Sequence, residues 1–140
     1  MAGARGETPR EAVERLAGTR GQSWMVNRCV EVLDAGEVNA DLLVGLAGRH
    51  AELVLSGSEG DVEGYWPRVW VFRAFLHAWD ERTGSSVVAA LADESWRVRE
   101  MALKVTRRRR LTGSLPAVTA LLLDPVERVR EAAAKALEPI

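Results

Sequence analysis

The side chains with the most chemistry to offer are crowded between Trp66 and Arg110. In YWPRVWVFRAFLHAWDE (65–81), Trp66, Trp70, Arg73 and His77 recur at i, i+4, i+7 and i+11. On a helix that spacing gathers them on one narrow polar side, opposite Val69, Phe72, Phe75, Leu76 and Trp79. A rigid row of two indoles, a guanidinium and an imidazole has the composition of a protein-binding hot spot or of a base-stacking platform. The four are therefore the candidate partner-binding residues; the same pattern also fits both Trp packing beneath the 56–64 segment. Further along, Arg97, Arg99, Lys104 and the run Arg107 to Arg110 are accompanied by a single acid, Glu100. Arg97, Lys104 and Arg108 align on one stripe with Arg107 beside it, opposite Val98, Met101, Ala102 and Val105. Arginine pairs bidentately with phosphate, so Arg97, Lys104, Arg107 and Arg108 are candidate phosphate or nucleic-acid contacts. The other reading of the run is a solvated face that complements a helix dipole at its C-terminal end.

Catalytic constellations are scarce, and no catalytic residue is assigned. The sequence has no phosphate-cradling Gly loop, no G-x-S-x-G and no H-E-x-x-H. Cys29 shares a face with Met25, Val32 and Leu33, the setting of a buried, inert thiol. His50 faces Leu42, Leu46 and Leu53 as a hydrogen-bonded core histidine would, and His77 belongs to a different segment, so the two do not suggest a metal site. Glu59, Asp61 and Glu63 lack the further ligands and closing Glu of a calcium loop. Neither a metal nor a cofactor is expected.

Composition narrows the setting. The 140 residues carry a net charge of −1, with 47% hydrophobic and 28% charged residues, enough for a core without staples. A lone Cys cannot form an internal disulfide and suits a reducing, cytoplasmic location. The first twenty residues contain no apolar run of seven or more, so neither a signal peptide nor a membrane partner is expected. The near-zero total conceals a −5 balance over 1–64 and +4 over 65–140. Seventeen Arg against two Lys, with Ile only at Ile140, reads as GC-rich coding bias, which weakens arguments from Arg abundance alone.

The elements that must position these residues are helices. Apolar positions recur at helical spacing almost everywhere, and sustained period-2 alternation is absent. The spacing predicts helices at about 8–18, 23–35, 40–55, 66–80, 85–92, 95–110, 114–123 and 126–138. Starts are marked by Thr8-Pro9 with Glu11 at capping-box spacing, and by Asn39, Ser85, Ser95 and Ser114; stops are marked by Gly18, Gly36, Gly84 and Gly113.

One register repeats. Asp93, Val98, Arg99, Ala102 and Val105 fall on Asp124, Val129, Arg130, Ala133 and Ala136 at an offset of 31, and Val87 and Leu91 fall on Val118 and Leu122. A period of that length with two helices per unit marks a stacked α-solenoid. Over 85–138, DESWRVREMALKV and DPVERVREAAAKAL resemble HEAT repeats of compact bacterial type. The resemblance implies an all-α, right-handed α–α superhelix of about four HEAT-like helix pairs. It also implies a structural ladder in which Asp93 and Asp124 meet Arg99 and Arg130 between units. The expected organisation is one repeat domain over 1–140, with 1–7 disordered and 56–64 a flexible acidic Gly-rich loop. HEAT-like units occur in binding scaffolds, in phycobilin lyases and in alkylation-repair glycosylases. The function expected is a non-enzymatic protein-interaction scaffold, with nucleic-acid or phospholigand binding through 97–110 as the alternative and an enzyme third. Because Glu127, Arg128, Glu131 and Lys135 give the last helix a polar outer face, a monomer or weak dimer is expected.

Overall fold

In a computed structural model the chain is described over residues 6–36, 38–57 and 64–138. The described residues contain helices and turns and no strand. Nine α-helices follow one another among them: α1 (Pro9–Arg20), α2 (Gln22–Ala35), α3 (Ala40–Ala47), α4 (Arg49–Leu55), α5 (Trp66–Ala74), α6 (Gly84–Ala90), α7 (Trp96–Arg109), α8 (Leu115–Ala120) and α9 (Glu127–Ala136). They form two compact units, Met1–Trp79 and Asp80–Ile140. The boundary lies downstream of the change in charge balance, because α5 packs on α1, α2 and α3 and so belongs to the first unit. The expected disorder over 1–7 and flexible loop at 56–64 fall largely on residues 1–5 and 58–63, which lie outside the described residues.

Local chemistry accounts for the helix ends. Thr8 caps α1 by accepting from Glu11 N at 3.1 Å while Glu11 Oε1 accepts from Thr8 N at 2.9 Å, which satisfies two otherwise orphaned amides. Asn39 Oδ1 does the same for Leu42 N. The expected helix 40–55 is two helices, because Gly48 adopts φ 57°, ψ −130°, a conformation closed to residues with a Cβ. Three residues earlier, a Cβ on Gly45 would come to 3.0 Å from Leu16 Cδ1, so a larger residue there would require the Leu16 side chain to shift. The expected helix 66–80 ends at Ala74 and continues as turns. Gly84 begins α6 instead of ending a helix, and Thr83, not Ser85, precedes it. Arg110 ends α7 in the left-handed region at φ 54°, a role expected of Gly113. α7 is regular through Arg109, which is half-buried.

The second unit stacks two helix pairs, α6 with α7 and α8 with α9, and α7 lies along α9. Its core is Val87, Leu91, Val98, Ala102, Leu103, Val105, Val118, Val129 and Ala133. Leu122, aligned with Leu91 by the repeat, is 37% exposed, whereas Leu91 is 3% exposed. Leu103→Ala is expected to cost about 2–5 kcal/mol in urea unfolding, since it empties a site with no solvent access. Leu123→Ala, at 87% exposure, should stay within about 0.5 kcal/mol; comparable losses at both positions would contradict this core.

Candidate interaction surfaces

Above its apolar core, the second unit is cross-linked by the Arg99 side chain. Arg99 donates from Nε to Asp124 Oδ2 at 2.8 Å and from Nη2 to Asp124 Oδ1 at 3.2 Å, a bidentate pair linking the first helix pair to the turn of the second. Its Nη1 donates to the carbonyls of Asp93 (2.8 Å) and Glu94 (3.2 Å), tying the same guanidinium to its own turn. Arg130 repeats part of the pattern, donating from Nη1 to the Asp124 carbonyl at 2.7 Å. The carboxylates of Asp93 and Asp124 also accept from the amides two residues on, Ser95 N and Val126 N, at 2.9 Å each. These Asx turns lead the chain into α7 and α9 without a side-chain cap at Ser95. The arrangement is structural: Arg99 Nε and Nη2 hold one helix pair on the next, and the other donors fix each inter-helix turn.

Beside this joint, α7 and α9 share an outward face built around Trp96. The Arg97 guanidinium lies 4.5 Å from the Trp96 ring centroid and that of Arg128 lies 5.4 Å away, both over the ring. Arg128 also donates from Nε to Glu100 Oε2 at 3.0 Å. Arg97 and Arg128 are repeat equivalents, as are Glu100 and Glu131, and Lys104 and Lys135, so the stack aligns basic and acidic rungs side by side. Trp96 was missed in the sequence because its repeat counterpart is Glu127, outside the repeating pattern. The offset that pairs Arg97 with Arg128 was the available signal. Lys104, Arg107 and Arg108 are exposed on α7, and Arg107 reaches Glu138 only at 3.8 Å. Arg109 is half-buried; burial foremost, with Arg108 beside it, lowers its pKa, and Glu81 opposes that shift.

Residues 80–139 match the family model for HEAT repeats, coinciding with the second unit and covering less than half of the chain. The second unit consists of HEAT repeats. Among curated proteins and among solved structures, nothing matches the chain.

Outside the HEAT unit, the candidate set on α5 is laid out differently from the open stripe its spacing suggested. Trp70 is buried at 1% exposure, and Trp66 is half-buried and stacked near it with ring centroids 6.1 Å apart. His50, read as facing leucines, meets both rings edge-on at 4.5 and 5.1 Å. Arg73 is half-buried and donates from Nη2 to the Leu46 carbonyl at 3.2 Å, and desolvation by burial lowers its pKa. Arg15 donates to the neighbouring Gly45 carbonyl at 3.0 Å while paired with Glu7. Two arginines thus satisfy carbonyls at the C-terminal end of α3, where a helix dipole favours cations. His77 lies past the end of α5, in the turns, so it is not on the Trp66–Trp70–Arg73 row. On that side of α5 the described contacts come from α3 and α4, through the Leu46 carbonyl and the His50 ring.

Cys29 is buried on α2 with Met25 and Val32, and loss of hydration pushes its thiol up to about 12. Among the described residues no cluster of His, Cys, Asp or Glu is arranged to hold a metal, and no helix is long and apolar enough to cross a membrane.

Two outcomes check this geometry. Asp124→Ala should cost about 3 kcal/mol, because it strands the Arg99 guanidinium in a joint where only 14% of that side chain is exposed; a cost under about 0.5 kcal/mol would mean the pair is only a surface contact. Cys29 should resist alkylation at pH 8 in the folded chain and react once urea unfolds it. Rapid labelling of the native protein would show that α2 opens.

Proposed function

We propose that the chain is a non-enzymatic scaffold whose HEAT unit binds a protein partner across the α7–α9 face, with Trp96 as its anchor. The observation that carries this reading is the Trp96 ring with the guanidiniums of Arg97 and Arg128, one from each repeat, lying over it. HEAT repeats are in general protein-interaction scaffolds. A rigid indole flanked by arginines is the composition that dominates binding energy in protein interfaces. The charge beside it is mixed: Glu100 and Glu131 alternate with Arg97, Arg128, Lys104 and Lys135, and residues 80–139 carry eleven basic and nine acidic residues. That balance supports a protein surface of interleaved charge over a polyanion. The single buried thiol suits a reducing compartment such as the cytoplasm. Trp66, Trp70, Arg73 and His77 we assign to packing of the first unit.

The exposed run Lys104, Arg107 and Arg108 supports nucleic-acid or phospholigand binding as the second reading. One set of measurements separates the two. Partners captured from an extract treated with nuclease should be retained by the natural chain and weakened at least about 30-fold by Trp96→Ala, the size of a hot-spot loss. Circular dichroism and melting should show Trp96→Ala still folded. Capture that vanishes with nuclease, or affinity for a DNA or RNA oligomer whose log K falls with log[salt] by about 0.7–0.9 per contact, would replace the protein reading with the nucleic-acid one.

A further inference from the structure

The first unit contains a cavity of about 260 Å³ between the start of α1, the α3–α4 turn and α5. Its charged walls are Arg49 and His50 on α4, Arg73 on α5 and Glu7 just before α1, and Ala12 and Leu46 add apolar wall. The charges do not balance. Glu7 accepts from Arg15 Nε at 2.9 Å and from Arg15 Nη2 at 3.3 Å, so these two neutralise one another. Among the described residues no carboxylate pairs with Arg73 or with Arg49.

The packing role of Arg73 uses little of its guanidinium. Of its five N–H donors, the one bond described runs from Nη2 to the Leu46 carbonyl, and a carbonyl has no net charge to set against a cation. The end of α3 does not require a second arginine, because Arg15 already donates to the Gly45 carbonyl at 3.0 Å. Yet Arg73 is half-buried, and burial lowers its pKa with no acid opposing the shift, unlike Arg109, which has Glu81. A charge drawn out of water is ordinarily paired, so the cavity beside Arg73 is where an anion would complete the site.

We propose that this cavity binds a small-molecule phosphate monoester, its phosphate held by Arg73 and Arg49 and its carbon part set against Ala12 and Leu46. Two guanidiniums lining one cavity call for about two negative charges, which a phosphate monoester supplies and a single carboxylate does not. The volume falls just below the range of about 300–1,000 Å³ that suits drug-sized ligands, which favours a small ester. The site belongs to the first unit and uses no residue of the Trp96 face, so either reading can fail without the other.

The probe is phenyl phosphate, titrated calorimetrically into the full chain in phosphate-free buffer at low salt. Saturable binding at one site, with a Kd below about 1 mM, is expected. Arg73→Gln and Arg49→Gln should each weaken it at least about tenfold, the size of one charge-assisted hydrogen bond. Arg49 is exposed and has no described partner, so Arg49→Glu should abolish binding while leaving the melting temperature of the ligand-free chain unchanged, whatever Arg73→Gln does to folding. Arg20→Gln, at the other end of α1, should leave the affinity unchanged. No saturation up to about 10 mM, or an affinity indifferent to Arg49→Glu, would overturn the proposal. So would succinate binding as tightly as phenyl phosphate, since the site would then be one for dicarboxylates.

Discussion

The second unit depends on where the Arg99 guanidinium is held. Neither of its helix pairs is large: α6 has seven residues and α8 six, too short to be stable by propensity alone. Each keeps its shape by packing on a longer second helix, and the two second helices are brought into register by one arginine that touches both turns. Because that side chain meets a carboxylate it can fork and carbonyls it can cap, the bond is directional as well as attractive. Slipping one pair along the other would break both bonds to Asp124 together.

The same constraint produces the outer surface. Stacking at a fixed offset lays equivalent positions beside one another, so charges that alternate along α7 recur on α9 as rungs. Arg128 reaches Glu100 and covers Trp96 only because the joint beneath sets the two helices side by side. A regular surface of this kind is a by-product of repeat geometry: the core residues decide the spacing, and the residues between them inherit a regular array. The first unit is organised by another rule. Its α5 is surrounded by α1, α2 and α3, its aromatic rings meet His50, and its arginine serves the end of α3.

How these two regions could be read from residues alone follows from that contrast. The repeat was legible because Asp93/Asp124, Val98/Val129 and Arg99/Arg130 must recur wherever the same packing problem is solved twice, and solving it twice leaves the same residue types at one offset. The α5 set was misread for the converse reason. A helical wheel divides a helix into a buried and an exposed side, which holds when one neighbour covers it. With helices on three sides, an indole on the narrow side is buried like the rest, and an arginine there finds carbonyls instead of water. Trp96 escaped notice because its counterpart is Glu127, so it lies outside the repeating pattern.

By itself the sequence determined the helical class, most element positions and the 31-residue register, since these rest on local capping and on periodicity that short stretches carry. It also placed Cys29 on the apolar side of its helix, with Met25 and Val32. Tertiary structure alone decided that Gly48 splits a helix and that α5 stops at Ala74, since both depend on what the following segment packs against. It decided as well that Trp70 lies inside while Leu122 lies outside. Those outcomes belong to partners far away in the chain: α3 and α4 for Trp70, and for Leu122 the lack among the described residues of the cover that its counterpart Leu91 has. A pattern read along one helix records which side chains are apolar, and only the assembled neighbours determine which of them are covered.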